Sequence, residues 1–431
     1  MFRDRAALAA MLAMLAVPSL ARAADPQLEA RVRELESALA DLKAQMAARD
    51  AQAAPPAIVP AARPLSDPTA STATDRLELR FGGYVKLDAM ATRFQRADPA
   101  LGDPIRDFYS PGAIPVAGAG EGAKVDFNAR QTRLWASASR RLGGHDIQAR
   151  IEGDFQTLPG GGDARTTNPS TFALRRAYVS VDGWLFGQDW STFQNIAVLP
   201  ETADYLGPSE GLVFVRQAQI RRTRGPLTLA LENPETTVTP AGGGARLVAD
   251  DNRLPDLVVR LDGRRPWGDW SLAALGRRLS VDQGGLRDAA FGWGLSAAAR
   301  VKVGGRDDIR LMMTRGRGIG RHVGLNFAND VAADGAGAIR PVGVTAGFVA
   351  YRHLWSPALR SSLFYSTQVV DNPAASGLNV NRRAESLHGN LIWTPVAGFD
   401  VGIEYMKGRR VLESGADGAL DRVQAFAKYG F

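Results

Sequence analysis

From residue 76 onward the chain alternates apolar and polar residues with a period of two, and the segments so patterned are joined by short and long connections in turn. Period two is the repeat of a β-strand, whose successive side chains point to opposite faces. Over 147–155, Ile147, Ala149, Ile151, Gly153 and Phe155 fall on one face, and Gln148, Arg150, Glu152 and Asp154 on the other. The same division sets Leu77, Leu79, Phe81, Val85 and Leu87 against Glu78, Arg80, Tyr84, Lys86 and Asp88. It recurs over 291–303, where Trp293, Leu295, Ala297, Ala299 and Val301 oppose Gly294, Ser296, Arg300 and Lys302. Glycine- and proline-bearing tight turns are expected at 141–144, 182–183, 224–226, 264–268, 304–305, 356–357 and 397–398. Between them lie longer, mostly polar stretches at 95–122, 158–170, 191–210, 233–254, 281–287, 316–341, 371–383 and 409–419. A β-sandwich or propeller has no reason to alternate its connections in this way. A closed up-and-down barrel with one trimmed end does.

The last ten residues sharpen this reading. Val423, Ala425, Ala427, Tyr429 and Phe431 share one face of a strand, and Arg422, Gln424, Phe426, Lys428 and Gly430 share the other. A terminal strand leaves an open edge, and pairing it with the first strand of the same sheet closes a barrel. This stretch resembles the C-terminal signature of bacterial outer-membrane β-barrels. The resemblance implies that Tyr429 and Phe431 form an insertion signal read by the barrel-assembly machinery, and that lipid and lipopolysaccharide surround the protein. Outside the extreme N-terminus no run of eighteen apolar residues exists, which excludes membrane-spanning helices. An apolar strand face turned to lipid needs no second layer to cover it. The expected fold is all-β: a transmembrane antiparallel barrel of about sixteen strands over 76–431, preceded by a short coiled-coil helix.

Residues 1–23 read as a signal peptide, with Arg3 and Arg5 ahead of an apolar core and an Ala21-Arg22-Ala23 cleavage site. Over 25–50, Leu28, Val32, Leu35, Leu39, Leu42 and Met46 recur at alternating spacings of four and three, the seam of a coiled coil. Residues 51–75, with Pro55, Pro56, Pro60, Pro64 and Pro68, read as a partly stiff linker. Cysteine is absent, so no disulfide contributes. An even strand number puts both ends of the barrel on one side, the periplasmic one, where the coiled coil would sit.

Sixteen strands enclose a water-filled lumen too wide for side chains to fill, so selectivity requires something to narrow it. Residues 191–210 are the expected inward loop, because Phe193, Ile196, Val198, Leu199, Tyr205 and Leu206 need a wall to rest on. By parity Lys86, Arg133, Arg150, Arg176 and Arg221 face the lumen, and the loop offers Glu201, Asp204 and Glu210 to oppose them. Arg216 has the opposite parity from Arg221, so both reach the lumen only with a bulge. A basic wall against an acidic loop would set a transverse field that orients solutes and favours anions. Trp293, Trp393, Tyr405 and Tyr429 are expected at the membrane boundaries.

Arg80-Phe-Gly-Gly-Tyr-Val-Lys-Leu-Asp-Ala-Met90 after a coiled coil and linker resembles the start of the DcaP-like porins. Gly187-Gln-Asp-Trp-Ser-Thr-Phe193, Pro200-Glu-Thr202, Gly207-Pro208, Val215-Arg-Gln217 and Gln219-Ile-Arg221 resemble that family too. The resemblance covers nearly the whole of the chain after residue 23. It implies a homotrimeric outer-membrane channel with a periplasmic N-terminal coiled coil and a preference for small anions. The expected function is a porin for small anionic or carboxylated solutes, needing no cofactor. A tethering protein, whose coiled coil binds peptidoglycan or a periplasmic partner, is the alternative. The four histidines form no H-E-x-x-H or metal-spaced cluster, and no nucleophile elbow or phosphate loop is present, so no enzyme or metal site is expected. Basic residues alternate along strands without stacking aromatics, which argues against nucleic acid.

Overall fold

The computed structural model of the protein describes residues 75–156 and 170–431, and Ser37 alone before them. The signal peptide, the coiled-coil seam of Leu28, Val32, Leu35, Leu39, Leu42 and Met46, the linker before Asp75 and most of the 158–170 connection lie outside the described residues.

The first eight strands are β1 (Glu78–Phe94), β2 (Ala123–Asn128), β3 (Arg133–Leu142), β4 (His145–Asp154), β5 (Ala173–Val181), β6 (Trp184–Trp190), β7 (Arg216–Arg224) and β8 (Leu227–Glu232). Two short strands follow, β9 (Thr236–Thr239) and β10 (Leu247–Ala249). Next come β11 (Asp256–Arg265), β12 (Gly268–Gln283), β13 (Leu286–Val303) and β14 (Asp307–Arg317), and then the short β15 (Val331–Ala333) and β16 (Ile339–Pro341). The chain finishes with β17 (Gly343–Leu354), β18 (Leu359–Asp371), β19 (Asn381–Val396), β20 (Phe399–Leu412) and β21 (Asp417–Gly430).

Each long strand pairs antiparallel with its neighbours, and β21 returns to β1 from Tyr84–Gly430 to Phe94–Leu420. The sheet is thereby closed, with sixteen strands around it among the described residues. Strand β2 is additional: β1 pairs with β3 over its first half and with β2 over its second. Gly83 sits where this seam is tightest, since a Cβ there would lie 2.1 Å from the Arg133 carbonyl oxygen. Its backbone exchanges two 3.1 Å hydrogen bonds with Phe431. The expected tight turns all form at one end. At Asp182-Gly183 both central residues take positive φ, 48° and 87°, as a two-residue hairpin that follows strand twist requires.

Burial follows the sequence parity. Leu79, Phe81, Val85 and Leu87 on β1 are exposed outward, and Lys86, Asp88, Met90, Thr92 and Phe94 are buried inward. The apolar face, continued by Ile151, Leu272, Leu295, Met313, Leu363 and Ile403, forms a band around the outside. Trp293, Trp393, Tyr405 and Tyr429 all point outward with it.

The other end differs from expectation in two places. The 281–287 and 409–419 stretches are hairpins, with turns only at Gly284-Gly285 and between Leu412 and Asp417. Polar residues there occupy strand that runs past the apolar band, and composition alone does not separate such strand from loop. The 233–254 and 316–341 connections carry a second sheet of their own, ordered β10-β9-β15-β16, with β9 and β15 parallel.

Candidate functional site

Between β6 and β7 the chain leaves the wall and crosses the barrel interior. Ser191 N donates to Val215 O at 3.0 Å, which closes the base of this loop. Thr192 N donates to Glu232 Oε1 at 2.7 Å, and Arg260 Nη1 donates to Gln194 O at 2.7 Å. Farther along, Arg360 Nε donates to Glu201 Oε1 at 2.8 Å. The Glu404 carboxylate accepts from Thr202 Oγ1 at 2.8 Å and from Ala203 N at 2.8 Å. The Ala203 carbonyl accepts from Lys86 Nζ at 2.6 Å and from Gln424 Nε2 at 2.8 Å. One segment thus bonds to β8, β11, β18, β20, β1 and β21. It spans the lumen from wall to wall.

Apolar packing holds it there. Phe193, Val198, Leu212 and Val213 are buried against inward Val258, Leu275, Met312, Val344, Phe348 and Phe364. Each such side chain contributes about 1.5–3 kcal/mol relative to exposure. Two further connections do likewise, and they were not expected to. From 318–342, Ile319, Val323 and Phe327 join the same cluster, and His322 O accepts from Phe214 N at 2.9 Å. From 95–132, Ile105, Tyr109 and Ile114 pack with Phe94, Met406 and Leu420. Buried Arg277 and Arg321 both reach Asp256 at 2.9 Å, and Arg277 also holds Asp330 at 2.8 Å, fastening the 318–342 connection to the wall. Burial and these two guanidinium groups push the His322 pKa well down, so it is neutral.

Facing the base of the inner loop, strands β3–β7 carry a concentrated set of charges. Arg133 donates to Asp154 at 3.3 Å and stacks its guanidinium 5.5 Å from the Tyr84 ring centroid. Arg150 reaches Glu152 at 3.0 Å and lies 4.6 Å from the Trp135 ring. Arg176 and Arg221 share Asp189, at 2.6 and 2.8 Å. Between β4 and β5 the register slips, with Glu152 opposite Arg176 and Gly153 opposite Leu174. The residue left over is Arg175, which turns inward beside Arg176 and donates to Glu152 and Asp154 at 3.1 and 2.6 Å. Arg216 lies 5.2 Å from the Trp190 ring, and its buried Nη1 has no hydrogen-bond partner among the described residues. Six guanidinium groups (133, 150, 175, 176, 216, 221) therefore face three carboxylates (152, 154, 189), an excess of three positive charges. The pairing of β6 with β7 is regular from Trp184–Arg222 to Trp190–Arg216. Arg216 and Arg221 therefore share this region without the bulge that parity demanded, because Arg216 is the first residue of its strand and lies against Trp190.

The loop acids are placed otherwise than expected. Glu201 is held by Arg360 and lies 3.8 Å from Arg352, on the far wall. Asp204 is turned back onto its own loop, accepting from Leu206 N and Gly207 N at 3.1 Å each and from Tyr109 N at 2.8 Å. Glu210 is fully buried beside Ser366, Ser386, His388 and Tyr109, and burial pushes its pKa up. A carboxylate on a buried loop must be paired or neutral; Glu201 and Asp204 anchor the loop and Glu210 is enclosed within it, which leaves no free acidic face opposite the arginines. Lys86 is tied in too, to Asp88 at 2.8 Å and to the loop. The far wall adds Arg310, Arg352, Arg360 and Lys428 against Asp308, Asp400 and Glu201. Parity alone could have found Arg310, Arg352 and Arg360. Arg175 it could not.

Ser386, His388 and Glu404 make a hydroxyl–imidazole–carboxylate chain, 3.1 Å at His388 Nε2 and 2.9 Å at Nδ1. All three are at most 2% exposed, and Glu404 is committed to the loop. The chain positions and does not meet solute.

Over residues 66–431 the sequence matches the family model described as DcaP outer membrane protein. The crystal structure of the outer membrane channel DcaP of Acinetobacter baumannii is similar in fold, with a TM-score of 0.69 and 24% identity over 82% of this chain and 97% of that one. The anion-selective porin from Comamonas acidovorans is similar at a TM-score of 0.51 and 12% identity, over 83% of this chain and all of that one. No curated protein sequence matches.

Proposed function

The chain belongs to the DcaP outer membrane protein family, and from that premise we propose that it is a porin admitting small anionic, chiefly carboxylated, hydrophilic solutes by passive diffusion. The excess of guanidinium over carboxylate on β3–β7, beside the inner loop, carries this reading. Fixed cations in a passage with low-dielectric walls raise the local concentration of anions and exclude cations. Arginine serves best because it stays charged and can hold a carboxylate through two donors at once. Arg216 and Arg221 are less deeply enclosed than Arg133, Arg150, Arg175 and Arg176, and they meet the solute first. In this reading the 191–215 loop sets the narrowest point, the loop end is external, and the turn end, with the 25–50 coiled coil, is periplasmic.

The same premise bears on assembly. Strands β6 and β8 have 7 and 6 residues, whereas β12 and β13 have 16 and 18. A tilted strand needs about 9–11 residues to cross the apolar layer. The β5–β8 wall is too low to face lipid over its full height, so a second protein surface covers it, and a homotrimer built on that wall supplies one. Tyr429 and Phe431 serve as the signal read by the assembly machinery.

Reversal potentials in planar bilayers under a salt gradient test the function. The native channel is expected to lean to anions, and Arg216→Glu with Arg221→Glu to move the potential toward cations. A potential unmoved by both changes removes these residues from the filter, and a barrel that never conducts ends the porin reading.

A further inference from the structure

On the far wall one line of charges alternates in sign without a break. Lys428 pairs with Asp400 at 2.9 Å, Asp400 with Arg360 at 3.3 Å, and Arg360 with Glu201 at 2.8 Å. Glu201 lies 3.8 Å from Arg352, Arg352 pairs with Asp308 at 2.5 Å, and Asp308 pairs with Arg310 at 2.7 Å. A line that starts and ends on a cation carries one positive charge that its carboxylates do not cancel. Its two ends differ in what they meet. The Arg310 side chain is 1% exposed and donates to the Leu199 carbonyl of the inner loop. The Lys428 side chain is 28% exposed, and Asp400, which it shares with Arg360, is its one ion-pair partner among the described residues. An ammonium has three donors, so the uncancelled charge comes to the surface at Lys428.

Strand position places this line at the turn end. Asp308, Arg360 and Asp400 are each the second residue of their strands, and Arg352 and Lys428 are each the third from last of theirs. In the arginine cluster, by contrast, Arg133 and Arg216 open their strands at the loop end. Tyr84 joins the two groups. Its ring centroid lies 5.5 Å from the Arg133 guanidinium and 5.9 Å from Lys428 Nζ. An aromatic face attracts cations, and this one ring holds both, so Lys428 is the next cation after Arg133 on the way to the turn end.

We propose that Lys428 is a second binding station for the solute carboxylate, between the arginine cluster and the turn-end mouth. An anion that leaves the guanidinium groups docks on this ammonium before it leaves the channel, and one entering from the turn end meets it first. The proposal rests on the porin reading above and gives it two sides. Lysine suits the place, because a point charge on a flexible stem lacks the fixed two-donor fork of arginine, and conduction needs a site that also releases. A fixed charge near a mouth acts on the rate of entry from that side.

Single channels inserted in one orientation in a planar bilayer test this, with citrate as the carboxylate probe added to one chamber at a time. The frequency of blocking events gives the rate at which citrate enters from each side. Lys428→Glu is expected to lower the rate from the turn-end chamber about tenfold and to leave the loop-end rate unchanged. Asp400→Asn, which removes the shared counter-charge, is expected to raise the turn-end rate. Arg216→Glu with Arg221→Glu is expected to act on the loop-end rate instead. Should Lys428→Glu fold poorly, as judged by heat-modifiable migration, Asp400→Asn decides alone. A turn-end rate unmoved by these variants, or rates from both chambers changed equally, overturns the second station while the native channel still leans to anions. A native protein that conducts nothing, or that selects cations, ends the porin reading and this station with it.

Discussion

Glu210 is an acid carried into the barrel on the returning arm of the 191–215 loop, where burial outweighs the nearby Ser386 hydroxyl and raises its pKa. A raised folded pKa means that this arm is fully seated below the ordinary glutamate value of about 4.3 and loses stability as pH rises through the folded value. Channel noise is therefore expected to grow with pH above the carboxylate range, and Glu210→Gln to abolish that growth while leaving His388 in place. Single-channel recordings across pH check it, and a native channel with noise independent of pH sinks the account. Residue by residue, the sequence reveals direction better than partnership. Lys86, Arg133, Arg150, Arg176 and Arg221 point inward as parity says, but parity cannot see the slip beside Gly153 that brings Arg175 in. Nor can it tell that Glu201 and Asp204 are consumed in holding a loop and that Glu210 is buried within it.

At the level of elements, the 191–215 loop is clamped most strongly at its middle. Glu404 accepts from Thr202, Ala203 and Asn390 and pairs with His388 at 2.9 Å, while almost wholly buried. Removing one member of a buried charged network costs about 3–5 kcal/mol. Glu404→Ala is expected to release the middle of the loop, giving larger and noisier single-channel conductance in a barrel that still shows heat-modifiable migration. Conductance equal to the native value would mean that the loop does not set the narrowest point. The inward fold of this loop is legible from Phe193, Val198, Leu199 and Leu206, which an external loop would leave wet. By the same criterion, Ile105, Tyr109 and Ile114, and Ile319, Val323 and Phe327, announce the other two inward connections. Their surrounding polar residues masked the signal.

For the molecule as a whole, strand number and closure are legible because tight turns recur at one end after every second strand, whereas wall height is not, since strand length depends on where loops depart. The low β5–β8 wall makes a contrast. Leu295→Arg on tall β13 is expected to cost about 2–4 kcal/mol of barrel stability if that face meets lipid, with the oligomer intact. Leu229→Arg on β8 is expected to split the oligomer on semi-native gels. If both variants split it, or neither does, the low wall is not the contact.

The inner loop bonds at Ala203 to Lys86 on β1 and to Gln424 on β21, the two strands that meet where the cylinder joins itself. It is a clasp fastened from within across the join. A chain that zips its last strand to its first before the clasp arrives leaves Lys86 and Gln424 without the Ala203 carbonyl at that line, so seating of the gate and sealing of the cylinder reinforce one another.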